Sequence, residues 1–120
     1  MLLVIDDEPD VGAVFLELLS LNGYSGCSAA NGRDALQVLN SCSTLPELIL
    51  LDINMPVLDG WGFLAERSNN PRLAAIPVIV ISATPGIEKK AAAAGATAVL
   101  RKPVTFEALL SAVDRCMAVA

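Results

Sequence analysis

Asp6-Asp7, Asp52, Ser82 and Lys102 carry the chemistry open to this sequence, because each stands at the end of an apolar run. The runs cover residues 2–5, 48–51, 78–81 and 98–100. Carboxylates brought close together repel, so a proton or a cation must join them. With oxygen donors only and no histidine in the chain, the cation expected is a hard ion such as Mg²⁺. A carboxylate beside Mg²⁺, an ammonium and a hydroxyl can take a phosphoryl group. One carboxylate oxygen attacks phosphorus in line, and the cations neutralise the equatorial oxygens. Asp52 is the best nucleophile of the set, since it is followed by a loop punctuated by Pro56 and Asp59-Gly60. Singly, each residue has a plain explanation, because acids cap helices, serines end strands and Lys-Pro opens loops.

The elements that must position these groups follow from hydrophobic spacing. Continuous aliphatic runs at 2–5, 48–51 and 78–81 predict strands buried on both faces of a parallel sheet. Residues 24–29, with Ser, Gly and Cys, predict a weaker edge strand, and residues 98–100 predict the last one. Val11, Val14, Phe15, Leu18, Leu19 and Leu21 recur at helical spacing after Pro9, which suits a first helical turn. Further helices are predicted around Ala35–Leu39, Trp61–Arg67, the Ala91–Ala94 run and, capped by Thr105, Phe106–Met117. Alternating strands and helices with short connections imply parallel strands, right-handed crossovers and helices on both faces. All C-terminal strand ends then share one edge, where such sheets place their ligands. The apolar residues of the first helix and Trp61 can serve either a partner or the core, and core packing is the expectation for both.

Composition narrows the function classes. A chain of 120 residues at 54% hydrophobic content is one domain with an aliphatic core. The net charge of −5 and the lack of a Lys/Arg cluster speak against direct nucleic-acid binding. No apolar run approaches the ~20 residues a bilayer span needs, so no membrane insertion and a cytoplasmic setting are expected. Cys27, Cys42 and Cys116 lack a Cys-x-x-Cys spacing and read as reduced, structural thiols. The absence of histidine removes His-based acid–base catalysis and any phosphohistidine donor within the chain.

The ordered set Val4-Ile5-Asp6-Asp7-Glu8-Pro9, Asp52-Ile53-Asn54-Met55-Pro56, Asp59-Gly60 and Lys102-Pro103 resembles the response-regulator receiver domain of bacterial two-component signalling. The likeness spans essentially the full length. It implies a flavodoxin-like, doubly wound α/β fold, with a five-stranded parallel sheet in the order 2-1-3-4-5 and five helices. It also implies that residues 1–120 form a single receiver domain with no output domain. By the same resemblance Asp52 is the phosphoacceptor, and Asp6, Asp7, Asp52 and the backbone carbonyl of Asn54 hold Mg²⁺, with Asp7 favoured over Asp6 as direct ligand. Ser82 and Lys102 meet the phosphoryl group, Asn54 and Thr84 flank it, and the Lys102–Pro103 bond is cis. The partners implied are a sensor histidine kinase or histidine phosphotransferase and a downstream protein target. The same resemblance implies a signalling module, with no enzymatic activity expected beyond its own phosphoryl transfer and dephosphorylation.

Two features depart from the family's pattern. Val99 stands where an aromatic switch residue is usual, and the segment between Ser82 and Gly95 is short, predicting a stunted fourth helix. The response is therefore expected to run through the Thr84-Pro85-Gly86 loop. A haloacid-dehalogenase-like phosphatase would carry a second acid two residues beyond its nucleophile, where this chain has Asn54. A pseudo-receiver, binding partners without phosphorylation, would not need the intact set of Asp6, Asp7, Asp52, Ser82 and Lys102.

Overall fold

The computed structural model describes residues 1–118. Five strands alternate with five helices: β1 (Leu2–Ile5), α1 (Pro9–Ser20), β2 (Gly26–Ala29), α2 (Gly32–Ser41), β3 (Leu48–Asp52), α3 (Gly60–Ser68), β4 (Val78–Ser82), α4 (Glu88–Ala93), β5 (Ala98–Arg101) and α5 (Phe106–Ala118). The sheet is wholly parallel, in the order β2-β1-β3-β4-β5. Among the described residues, no helix is long and apolar enough to cross a membrane.

The aliphatic runs are buried because helices cover both sheet faces, and side chains alternate between those faces with a period of two. Leu3, Ile5, Ile49, Leu51, Val78 and Val80 point to one side, against Leu36 and Leu39 of α2 and Phe63 and Leu64 of α3. Leu2, Val4, Leu48, Leu50, Ile79 and Ile81 point to the other, against Leu19 of α1 and Leu109, Ala112 and Val113 of α5. Shifting any of these strands by one residue would exchange its two faces. The five residues of β3 and of β4 are all buried, whereas β2 is largely exposed, as an edge strand can be.

Helix boundaries follow local chemistry. Asn31, Asp59 and Thr105 each accept a backbone N–H three residues on, capping α2, α3 and α5. Asp6 Oδ1 accepts the Glu8 N–H at 2.8 Å, so the turn into α1 is held by a carboxylate of the acidic cluster itself. The fourth helix is stunted as expected, at six residues.

α1 differs from the expectation. Its buried side is Gly12 and Leu19 with Phe15 and Leu16 packed alongside, whereas Val14 and Leu21 are 51% and 77% exposed. The apolar residues of α1 thus form two stripes, and only one enters the core. Tyr24 lies before β2 and not within it; its hydroxyl donates to Asp114 on α5, and the acceptor carboxylate raises the phenol pKa. The three cysteines are unpaired, and burial pushes the thiols of Cys27 and Cys116 up, which disfavours the reactive thiolate.

Arg67 is a buried cation that the hydrophobic pattern conceals. It lies on the same stripe of α3 as Gly60, Phe63 and Leu64 and is only 4% exposed. Its guanidinium donates to the carbonyls of Ile76 (2.6 and 3.2 Å) and Ala74 (2.9 Å), fixing the connection that leads into β4. Burial lowers its pKa, yet the carbonyl dipoles hold the charge without a carboxylate. Arg67→Met strips these donors from buried carbonyls while keeping the volume. It should cost about 2–4 kcal/mol, from hydrogen bonds to a charged group lost at a desolvated site. Urea unfolding of the two proteins checks this, and a loss below about 0.5 kcal/mol, the scale of a neutral surface change, would contradict it.

Candidate functional site

Parallel packing sets the site. Ile5 pairs with Leu51 across β1 and β3, so the residues that follow, Asp6 and Asp52, emerge side by side. Ser82 ends the neighbouring strand, and the Lys102 N–H donates to the Ser82 carbonyl at 2.9 Å as β5 leaves the sheet. Acceptor oxygens of Asp6, Asp7 and Asp52 all lie within 4.8 Å of one another. Lys102 Nζ is 3.5 Å from Asp52 Oδ1. The five side chains that the sequence pointed to are therefore brought to one edge.

Their environments differ. Asp6, Asp52 and Ser82 are 7%, 4% and 1% exposed, while Asp7 is open to solvent and Lys102 half-buried. Each of the three buried side chains accepts one local backbone N–H that fixes its direction. Asp52 Oδ1 accepts from the Asn54 N–H at 3.2 Å, and Ser82 Oγ accepts from the Thr84 N–H at 3.0 Å. The Lys102–Pro103 peptide is cis, as the family resemblance implied. Burial raises the pKa of Asp6 most, with Asp52 and Asp7 adding to the rise and the Glu8 N–H and Lys102 opposing it. An all-oxygen, net-anionic pocket with one carboxylate open to solvent has the donor chemistry of a Mg²⁺ site.

The loop after Asp52 is shaped by close approach. A Cβ on Gly60 would lie 2.6 Å from Ile53 Cδ1 and 2.7 Å from Ile53 Cα, so only glycine lets α3 start there. Gly32 at the head of α2 likewise donates its N–H to the Leu58 carbonyl at 3.2 Å, where a Cβ would stand 2.8 Å away. Val57 has φ +70° and is 80% exposed. A β-branched residue in the left-handed region stores strain beside the site, a feature that spacing does not reveal. Trp61 is half-buried against the core, with Lys90 Nζ of α4 4.2 Å from its ring centroid.

A doubly wound sheet with an acidic pocket and a lysine at its C-terminal edge is the arrangement the family resemblance implies. Residues 2–114 match the response regulator receiver domain family, and the chain belongs to that family. Such domains are signalling domains that work with sensor histidine kinases and downstream targets, and they typically bind Mg²⁺ at an acidic pocket. Over 116 residues the chain is 38% identical to the transcriptional regulatory protein PrrA of Mycobacterium leprae, covering 92% of this chain and 47% of PrrA. It therefore spans about half the length of that relative. Its fold is similar to the chemotaxis response regulator CheY4 of Vibrio cholerae, with TM-score 0.86, 30% identity and 96% of each chain covered. It is equally similar to the receiver domain of a histidine kinase from Syntrophus aciditrophicus, with TM-score 0.88 and 29% identity, covering 99% of this chain and 90% of that one.

The raised pKa of Asp6 carries a sign that can be tested. Ionising a carboxyl whose folded pKa lies above its unfolded value costs the fold. That cost is present in full above the folded pKa and vanishes below the unfolded value near 3.8. In the metal-free protein, Asp6→Asn should therefore raise the melting temperature at pH 7 by a few degrees. The gain should fade as the pH falls to the unfolded value. Thermal melts in chelator across this range check it, and a variant less stable than the parent at pH 7 would contradict the burial argument.

Proposed function

We propose that Asp52 is a phosphoacceptor, taking a phosphoryl group from a phosphohistidine on a partner kinase or histidine phosphotransferase. What carries this reading is the setting of Asp52: a buried carboxylate with Asp6 and Asp7 oxygens within 4.8 Å and the Lys102 ammonium at 3.5 Å. The nucleophile is an Asp52 oxygen. It attacks phosphorus, the P–N bond to the imidazole breaks, and the imidazole nitrogen leaves with the bonding pair, giving an aspartyl phosphate. Lys102 pairs with an equatorial phosphoryl oxygen. Ser82 accepts the Thr84 N–H through Oγ and keeps its own proton to donate to another. Asp6, Asp7, Asp52 and the Asn54 backbone carbonyl would hold Mg²⁺, which when bound supplies positive charge against the phosphoryl oxygens. The output is a shift of the surface formed by the loop after β4, α4 and β5, read by a downstream protein.

The second apolar stripe of α1 supports a helical donor. Val11, Val14, Leu18 and Leu21 follow a 3-4-3 spacing, with Val14 and Leu21 exposed and the other two half-buried. That is the seam by which one helix packs on others. The helix begins just past Asp6-Asp7, so a partner bundle lying along this stripe would bring a phosphoimidazole to the pocket.

Two donors separate chemistry from docking. With acetyl phosphate and Mg²⁺, the parent should gain one base-labile phosphate, and Asp52→Asn should gain none. Val14→Glu should be labelled by acetyl phosphate at the parental rate. From a phosphohistidine protein it should be labelled about tenfold more slowly, the effect of losing about 1.4 kcal/mol of docking energy. Equal labelling of Asp52→Asn would overturn the phosphoacceptor. A parent that accepts phosphate from neither donor would leave a pseudo-receiver.

A further inference from the structure

A groove of about 840 Å³ opens at the N-terminal edge of the sheet, on the opposite side from the acidic pocket. Its volume lies in the range of small-molecule sites, roughly 300–1,000 Å³. The entries to β3, β4 and β5 form one side, through Leu45, Ile76 and Ala98, and the last turns of α5 form the other, through Ala112 and Met117. Ile76 and Ala112 belong to the buried core, so the apolar lining is continuous with it.

The charges on this groove run against the acidic balance of the chain. Its charged residues are Glu47, Arg72 and Arg115. Glu47 is paired with the N-terminal ammonium at 2.8 Å. Arg72 uses two donors on the C-terminal carbonyls of α2, Leu39 at 2.8 Å and Cys42 at 2.6 Å, and keeps its positive charge. Arg115 is exposed and meets no carboxylate within 4 Å among the described residues. Two guanidinium groups against one carboxylate leave this apolar trough net positive in a chain of net charge −5.

We propose that this groove binds a small amphiphilic carboxylate, with an alkyl or aryl body against Leu45, Ile76 and Ala98 and its anionic head on Arg115. An apolar body removes the groove from water, and the head provides a counter-charge that Arg115 lacks among the described residues. The proposal stands apart from the reading of Asp52 and needs neither phosphate nor Mg²⁺.

Amide NMR of the unphosphorylated chain tests it, with decanoate as the probe and decan-1-ol as the uncharged control. Decanoate should give saturable shifts at Thr97, Ala98 and Cys116 and leave Asp6, Asp52 and Ser82 unmoved. Decanol should bind about tenfold more weakly, and Arg115→Gln should lower decanoate affinity by a similar factor. Ala75 lines the groove and is exposed, so Ala75→Trp should fill the trough without disturbing the core and abolish the shifts. Equal affinity of acid and alcohol, or undiminished binding to Ala75→Trp, would overturn the assignment. So would shifts at the same amides that depend on protein concentration alone, which would give the groove to a second copy of the chain.

Discussion

Placing three carboxylates within 4.8 Å of one another is the constraint on which this structure turns. Such a cluster is unfavourable unless the backbone enforces it. Here the enforcement is the sheet. β1 and β3 are adjacent, parallel and in register, so Asp6 and Asp52 have no freedom to separate. Their strands are closed to water on both faces, and this burial raises the pKa of Asp6. The cluster is stabilised locally by backbone N–H groups from Glu8 and Asn54 and by Lys102, arriving from the far side of β4. Only glycine at position 60 lets the loop beyond Asp52 fold back this tightly.

Much of this was legible in the sequence, for a physical reason. Strands buried on both faces need no alternation, and runs such as Leu48-Ile49-Leu50-Leu51 have few other uses in a chain this size. Parallel strands send their C-terminal ends to one edge, so the placement of Asp6, Asp52, Ser82 and Lys102 on a common edge follows from strand type alone. Strand order does not: which strands are neighbours is a tertiary choice, and the order 2-1-3-4-5 came from family resemblance. Arg67 occupies a place on the buried stripe of α3 but is a cation, and only the carbonyls of Ala74 and Ile76 explain it. α1 misled for the opposite reason. Val14 and Leu21 are apolar at helical spacing, and spacing cannot say whether a second stripe meets this chain or another.

Val99 limits how a change at the acidic pocket can travel. It pairs with Val80 in the β4–β5 register and packs, half-buried, against the core on the α3–α4 side. A side chain stiff at χ1 has no ring to swing between two positions. The helix beside it, α4, is only six residues long, anchored by the fully buried Ala91 and by Lys90 over Trp61. So short an element, pinned at two points, moves as a body or not at all. The compliant part lies between Ser82 and Ile87, where Ala83, Thr84, Pro85 and Gly86 are all exposed and Gly86 has φ +74°. This loop is tied back to the sheet by the Thr84 N–H on Ser82 Oγ. On the proposed chemistry, a Ser82 hydroxyl that turns toward a phosphoryl oxygen strains that tie. The Thr84 N–H must then follow Oγ or find another acceptor, such as the phosphoryl group itself. Either way the loop carries the displacement to Ile87 and the first turn of α4, where Lys90 rests on Trp61. Trp61 is itself on the first turn of α3, two residues beyond Asp59, and so follows directly on the loop that Asp52 opens. Asp52 and α4 are thus joined by two short routes, through Ser82 and through Trp61, and neither passes through Val99.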